Sequence, residues 1–504
     1  MAFNTLDFIL LLIVTVLLYY ALPHKLRNPL LLVASYVFYA AYDLALTAFL
    51  VICTLLTYYV ARQVDCHEDA VIRKRWATIG VVLNLGALGF YKYFNFLSKS
   101  LSGVFGGKTK TLDLIVPLGI SFIIFQVVSY IVDVYRGKMN AERNLFKFSL
   151  YVAFFPKLVQ GPIERASDII PQFDEIHKFD DTKFQKGFLL VLYGLFMKMV
   201  VADRLAIVVN TIFGSLADYS GAAIAMASAL FAFQIYCDFA GYSYTAIGAA
   251  ELLGFGLKRN FRQPYMSLSV SEFWRRWHIS LNDWLRDYLY IPLGGNRCSR
   301  ARKNFNTLVT FGVSGLWHGA DWGYVIWGLL NAVYIVIGGK IKTVTPKLRR
   351  IFSIKAEEEE RVPSKAAVFL GNQIRRLINF CLITFTWIFF RAQSLSVANT
   401  AIKRIFTSFN LKPFLQYVKG QLEKGPETML YGINIKFGIP VLLLSLLLVI
   451  IIDIIADRHD IANRIAAGKI ILRWPVYLFL IFAIIVLGIY GYGYSAGAFI
   501  YAGF

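Results

Sequence analysis

The stretch FGIPVLLLSLLLVIIIDIIA, residues 437–456, decides the fold class, because its twenty residues include a single charged side chain. An α-helix of about 20 apolar residues is long enough to cross the hydrocarbon core of a bilayer. Residues 7–23, DFILLLIVTVLLYYALP, have the same character. In both stretches the apolar residues are continuous and do not alternate with polar ones. This pattern predicts membrane helices and disfavours the strands of a membrane barrel.

The composition of the whole chain agrees with this prediction. Of its 504 residues, 57% are hydrophobic and only 16% are charged, too few to solvate the surface of a soluble protein of this length. Lys and Arg outnumber Asp and Glu by 52 to 31, which fits cytoplasmic loops touching anionic membrane lipids. No basic and aromatic platform for nucleic acid is present, so we expect no nucleic-acid partner. The five cysteines form no CxxC pair, which argues against a disulfide framework or a zinc site.

We therefore predict an all-α integral membrane protein with about 10–12 transmembrane helices in a single domain, residues 1–504. The apolar runs place candidate helices at residues 7–23, 29–43, 45–60, 76–94, 113–135, 186–213, 221–237, 320–339, 368–390, 437–456 and 474–492. The first of these lacks a basic leading region and a cleavage site, so it is expected to be retained. Basic loops predict an external N-terminus and a charged cytoplasmic loop at 340–366.

The region 145–320 does not divide into clean membrane spans. Leu145–Gln160 is short and ends at Gly161-Pro162, Phe239–Phe255 is rich in glycine and alanine, and Asn304–Ala320 contains His318. Short apolar segments of this kind indicate re-entrant pieces that line a cavity. Misplaced helix ends are the alternative. We predict that this region is the catalytic centre of the domain.

A tryptophan-rich segment, Pro264–Asn296, lies within that region. Ser269 followed by Glu272 forms a capping box, so a helix is predicted to begin there. Its tryptophan and arginine residues favour a helix that lies along the membrane interface, which by itself needs no catalytic role. On such a helix His278 and Asn282 are one turn apart, so their side chains can meet.

The segment GVSGLWHGA, residues 312–320, places His318 in apolar surroundings. Burial favours the neutral imidazole, which is the form a general base needs, although a purely structural buried histidine is the alternative. Gly315 and Gly319 allow close approach of a substrate or of another backbone. His278 lies 40 residues earlier and can face the same cavity. No HExxH or GxSxG motif is present, so direct attack of an acceptor hydroxyl on a thioester is the simplest chemistry.

Six ordered motifs make the chain resemble the membrane-bound O-acyltransferase family, in particular its bacterial polysaccharide-acetylating branch. They are DVYRGKMNAERN (133–144), FFPKLVQGPIER (154–165), FQIYCDFAGYS (233–243), FWRRWHISLNDWLRDYLYIPLGGNR (273–297), GLWHGADW (315–322) and TWIFFRAQSL (386–395). The resemblance implies that His318 is the principal catalytic residue and His278 its companion. Tyr244 departs from the family pattern, in which an acidic residue often follows Tyr-Ser, and it receives no role.

The resemblance also implies a ring of tilted helices around a central tunnel in the inner membrane of a bacterial cell. Acetyl-CoA would be the cytoplasmic donor, with no bound cofactor and no metal. An extracytoplasmic SGNH-type acetyltransferase and polysaccharide assembly proteins would be the partners. D-alanyl transfer to teichoic acid, a carrier with a histidine proton relay and a structural scaffold are the alternatives. The residues implied to line the tunnel are Trp277, Asn282, Trp317, Gly319, Gln160, Gly161, Pro162, Tyr242 and Ser243.

Overall fold

The computed structural model of the chain describes residues 1–352, 364–412, 429–430, 433–434 and 437–490. For residues 342–352, 429–430 and 433–434 it describes the backbone alone. The described α-helices, α1 to α20 in chain order, are Leu6–Ala21, His24–Ala40, Leu44–Cys66, Ala70–Leu88, Phe94–Phe105, Ile120–Tyr135, Leu145–Ala153, Ala166–Ile169, Asp181–Leu195, Asp203–Gly214, Gly221–Leu252, Val270–Arg276, Ile279–Leu285, Arg300–His318, Trp322–Phe352, Lys365–Arg391, Leu395–Thr407, Gly438–Ala456, Ile461–Ala466 and Ile470–Leu487.

Short irregular turns and one small strand pair complete the described elements. The turns are π-helical at Gly89–Tyr93, Phe196–Ala202 and Arg286–Tyr290, and 3₁₀-helical at Pro171–Asp174, Leu216–Asp218 and Pro264–Met266. Within the described residues the only strands are Met429–Leu430 and Ile433–Asn434, which pair antiparallel. The all-α prediction is confirmed. The predicted loop at 340–366 begins inside α15, and its residues 353–363 lie outside the described residues.

Six of the described helices are long and apolar enough to cross a membrane. They are Leu44–Cys66, Ala70–Phe105, Gly221–Leu252, Trp322–Ile341, Gly438–Ala456 and Ile470–Leu487. Each coincides with one of the predicted spans, so the multi-pass prediction is confirmed. The other five predicted runs are also helical, but they are shorter, interrupted or more polar. The run at 186–213, for example, is divided by the π-helical turn Phe196–Ala202.

The chain divides into two compact units. The first contains Met1–Val200, Cys237–Arg259 and the residues from Asp460 onwards, and the second contains Val201–Tyr236 and Asn260–His459. In the first unit the phenyl ring of Phe3 stacks on Tyr242 at 4.1 Å and on Phe8 at 4.3 Å between ring centroids. Aromatic pairs of this kind add to the burial energy of a core.

The first unit contains one buried segment without regular helix. Helix α7 ends at Ala153, and residues 154–165 continue as irregular chain that is buried throughout. Its polar groups bond to the surrounding helices: the Phe155 N–H donates to Ser35 Oγ at 3.1 Å, and Lys157 Nζ donates to Gln126 Oε1 at 2.6 Å. Buried backbone outside a helix needs such partners.

Glycines let two helices of the first unit approach closely. A β-carbon at Gly194 or Gly248 would collide with a backbone atom of the facing helix. The prediction of a broken segment at 239–255 was therefore wrong up to Leu252, because α11 is one continuous helix whose small residues serve packing. Beside this crossing, Lys198 Nζ and Asp238 Oδ1 form a buried ion pair at 2.6 Å.

In the second unit α14 and α15 pack antiparallel with equally close contact. A β-carbon at Gly315 would collide with the carbonyl oxygen of Tyr324, and one at Gly328 would collide with the carbonyl oxygen of Phe311. Both contacts fit a single register. The turn between the helices is held by Asp321, whose Oδ1 accepts the Gly323 N–H at 2.7 Å.

Candidate active site

His318 is the last residue of α14 and is 2% exposed. Three aromatic side chains surround its ring, with centroid distances of 4.9 Å to Trp317, 5.1 Å to Trp327 and 5.4 Å to Phe390. All three contacts are edge-to-face. Since Trp327 lies on α15 and Phe390 on α16, three helices fix the position of this imidazole.

His278 lies at a bend between α12 and α13. Its φ is +42°, in the left-handed region that residues with side chains seldom adopt. The predicted continuous helix from Ser269 is therefore interrupted. The cap predicted at Ser269 is present, since Ser269 Oγ accepts the Glu272 N–H at 3.2 Å, but Glu272 Oε2 accepts the N–H of Leu268, the residue before the N-cap, at 2.9 Å.

Asn260, which sequence reasoning missed, holds the chain directly after His278. The Ile279 N–H donates to the Asn260 carbonyl oxygen at 2.9 Å, and Ser280 Oγ donates to Asn260 Oδ1 at 2.7 Å. Asn260 is fully buried. These bonds stabilise a strained backbone conformation that the local sequence would not adopt alone. No sequence motif marks Asn260, because its role depends on a tertiary contact.

The two histidines lie side by side. Their ring centroids are 6.3 Å apart, and Trp317 contacts both rings, at 5.7 Å from His278 and 4.9 Å from His318. Both imidazoles are almost completely buried. The structure thus brings together the two residues that the sequence singled out.

Burial sets the charge state of His278. Loss of solvation lowers the pKa of His278 well below the ordinary value of a histidine, so its imidazole is neutral near pH 7. A neutral imidazole can accept a proton or hold a hydrogen bond to a neighbouring group. The neutral imidazole of His278 is therefore able to exchange a proton with a neighbouring group.

Two of the other predicted site residues form the framework of the bend. Asn282 Nδ2 donates to the carbonyl oxygens of Trp274 at 2.7 Å and Trp277 at 2.6 Å, so the predicted pairing with the His278 side chain is wrong. Because φ is positive at His278, the two side chains do not share one helix face. Trp277 is 0% exposed and stacks on Phe273, so it packs inside the protein and not at a membrane interface as predicted.

Gly315 and Gly319 serve the packing of α14 against α15. A β-carbon at Gly319 would collide with the ring of Tyr324. Of the two alternatives that the sequence left open, close approach of the protein's own chain accounts for both glycines.

Five of the predicted tunnel residues belong to the first unit. Gln160, Gly161 and Pro162 lie in the buried irregular segment, where a β-carbon at Gly161 would collide with the backbone at Lys157. Tyr242 and Ser243 lie on α11 and are each 2% exposed, with Tyr242 stacked in the aromatic core. Their role toward a substrate stays a prediction.

The fold and the site define a multi-pass membrane protein with two adjacent, buried imidazoles. The sequence profile of the membrane-bound O-acyltransferase family, MBOAT, matches residues 141–384, which include both histidines. The chain is 40% identical to the probable alginate O-acetylase AlgI of Pseudomonas putida over 76% of this chain and 75% of that protein. The chain belongs to the membrane-bound O-acyltransferase family.

Two further relatives show how the similarity extends. The chain is 32% identical to the peptidoglycan O-acetyltransferase of Helicobacter pylori, over 76% of each protein. It is 28% identical to the teichoic acid D-alanyltransferase of Streptococcus thermophilus, over 52% of this chain and 66% of that protein. The protein is thus an acyltransferase enzyme that crosses the membrane several times.

Proposed function

We propose that this enzyme takes an acetyl group from cytoplasmic acetyl-CoA and passes it across the bacterial inner membrane for O-acetylation of an extracytoplasmic polysaccharide. The observation that carries the proposal is the buried pair His278 and His318, whose rings lie 6.3 Å apart. The relatives named as O-acetylases support acetyl as the group transferred.

His318 acts as the general base in this proposal. Its imidazole accepts the proton of an acceptor hydroxyl while the hydroxyl oxygen attacks the thioester carbonyl carbon. The carbon–sulfur bond then breaks, and the departing thiolate of CoA recovers the proton from the imidazolium. His278 is the companion that orients His318 or the bound acceptor.

Buried indole N–H groups can support the negative charge that develops on the carbonyl oxygen. The indole N–H groups of Trp277 and Trp327 are buried and have no acceptor among the described residues. The ring of Trp327 contacts His318 directly, at 5.1 Å between centroids. A fixed donor in a site without water stabilises an oxyanion more strongly than water does.

Donor and partners follow from the same proposal. Acetyl-CoA is a substrate and no cofactor is bound. The acetyl group is transferred to an extracytoplasmic SGNH-type acetyltransferase, which works with the polysaccharide assembly proteins. Gln160, Gly161, Pro162, Tyr242 and Ser243 are proposed to line the acyl path.

Vesicles of known sidedness test the donor and the direction of transfer. Purified enzyme is reconstituted, sealed vesicles are sorted by orientation, and the SGNH-type acetyltransferase and a polysaccharide acceptor are supplied at the external face. Acetyl-CoA labelled in its acetyl group is then added to the cytoplasmic or to the external face. We expect labelled ester to form only when acetyl-CoA meets the cytoplasmic face, and to lie on the external face. Equal labelling from either face would contradict the proposal.

D-alanyl transfer is the second candidate, since the chain is 28% identical to a protein named teichoic acid D-alanyltransferase. The same vesicles distinguish the two by offering a D-alanyl thioester in place of acetyl-CoA. Faster turnover of the D-alanyl donor would favour the second candidate.

A further inference from the structure

Four large aromatic side chains pack together beside His318. They are Trp277, Trp327, Trp387 and Phe390, and together they are called the aromatic wall. The three tryptophans are 0% exposed and Phe390 is 1% exposed. Trp277 directly follows α12, Trp327 lies on α15, and the other two lie on α16. Three separate parts of the chain therefore contribute to the aromatic wall.

Two rings of the aromatic wall contact the imidazole, and a third holds them in place. Trp327 and Phe390 lie 5.1 and 5.4 Å from His318 between ring centroids. Trp387 packs against both of these rings. It stacks on Trp327 at 5.5 Å with 24° between the ring planes, and it meets Phe390 edge-on at 5.2 Å.

Trp387 is itself fixed by further aromatic side chains. Its ring lies 5.1 Å from Trp277 and 6.5 Å from Trp274 between centroids. Protein interiors are packed as densely as organic crystals, so a group larger than the space provided forces its neighbours to shift. Trp387 cannot move aside without displacing the other rings, and the aromatic wall is therefore a rigid boundary.

The hydrogen-bond donors of the aromatic wall indicate that a ligand binds against it. The indole N–H groups of Trp327 and Trp387 are buried and have no acceptor among the described residues. By contrast, the neighbouring Trp274 donates its indole N–H to Asn331 Oδ1 at 3.1 Å. A buried donor without an acceptor costs free energy, so an acceptor that the protein does not itself supply is expected here. The carbonyl oxygen of an acyl thioester is such an acceptor.

We propose that the aromatic wall excludes butyryl and longer acyl groups from the site, and that Trp387 is the residue that sets this limit. The proposal rests on the proposed function, in which the carbonyl carbon of a CoA thioester reacts beside His318. Acetyl has only a methyl group beyond that carbon, whereas each added methylene must displace a ring that its neighbours hold. Trp387 acts through Trp327 and Phe390 and is thus a positioning residue.

A matched pair of tryptophan variants tests the proposal on the full-length enzyme. Trp387→Leu removes the support of the two rings that contact His318. Trp284→Leu makes the same change at a buried tryptophan of α13, whose ring contacts Tyr288 at 5.1 Å and lies outside the aromatic wall. Each purified enzyme receives acetyl-CoA or butyryl-CoA, and release of the CoA thiol gives kcat/KM for each thioester.

We expect the wild type and Trp284→Leu to prefer acetyl-CoA over butyryl-CoA by at least about 100-fold in kcat/KM, since one added methylene changes such a ratio about 10–200-fold. In Trp387→Leu the preference should narrow to about 10-fold or less. A loss of folded enzyme lowers both rates alike, so the ratio reports the shape of the site and not the stability of the protein. Should Trp387→Leu fail to fold, the smaller change Trp387→Phe replaces it and should narrow the ratio in the same direction.

Two results would overturn the proposal while acyl transfer itself still stands. One is a wild type that consumes butyryl-CoA as fast as acetyl-CoA. The other is a ratio in Trp387→Leu that equals the ratio in the wild type and in Trp284→Leu. A wild type that consumes neither thioester would contradict the proposed function, and this proposal with it.

Discussion

Buried polar groups have different surroundings in the two units. In the first unit the buried side-chain nitrogens of Lys157 and Lys198 each donate to a fixed protein acceptor at 2.6 Å, Gln126 for Lys157 and Asp238 for Lys198. In the second unit the imidazoles of His278 and His318 lie among aromatic rings. A buried charge that is paired stabilises a unique packing, whereas a neutral imidazole in an aromatic cage is placed for proton transfer. We therefore expect mutations in the two regions to have opposite effects on stability and on activity.

The largest effect is expected from His278→Asn. Asparagine tolerates the left-handed backbone of residue 278 but removes the imidazole. We expect acyl transfer to fall about 10²–10⁴-fold while the thermal stability of the purified protein changes little. Transfer rates and melting temperatures in detergent check this. Wild-type activity would mean that only the bend at residue 278 matters.

The ion pair of the first unit should respond in the reverse way. Removal of one partner, in Lys198→Met or Asp238→Asn, leaves a buried group unpaired and should destabilise the protein by about 3–5 kcal/mol. The double variant should lose less than the two single variants together. Unfolding measurements, with activity expressed per folded molecule, test this. A single variant that keeps full stability but loses turnover would show that the ion pair takes part in the reaction.

Substitution of Asn260 should lower both the stability and the activity of the protein. Asn260→Ala removes the acceptor of Ser280 and should cost about 1–3 kcal/mol, together with a lower turnover number because His278 is no longer held. Asn260→Asp keeps an acceptor oxygen and serves as the rescue control. If alanine and aspartate behave alike, the side-chain bond to Ser280 does not position His278.

The smallest effect is a pH dependence of stability. Because burial lowers the pKa of His278 in the folded protein, protons bind the unfolded chain more readily than the folded one. Its contribution to stability is complete above about pH 6.5 and is lost as the pH falls, by at most about 1.4 kcal/mol per unit. Melting temperatures of wild type and His278→Asn should be similar at pH 7.5, and that of the wild type should fall below that of the variant as the pH approaches 5. Parallel curves would contradict this.

Sequence patterns predicted the features of this molecule that arise locally. Length and hydropathy identified the spans, for example α18 at Gly438–Ala456, and the capping box placed the start of α12 at Val270. Tertiary contacts decided the rest. The bend at His278 exists because Asn260 binds the following residues, and α11 continues through its glycines because a facing helix fills the space. Neither partner is close in sequence, so periodicity and motif spacing could not show them.

The role of His318 in acyl transfer is tested most directly by turnover of acetyl-CoA in the purified enzyme. His318→Ala is compared with His459→Ala, which makes the same change at an exposed position of the second unit. We expect His318→Ala to lose at least about 10²-fold in acetyl-CoA consumption per folded molecule, and His459→Ala to match the wild type. Unchanged turnover in His318→Ala would contradict the assignment of His318 as the general base.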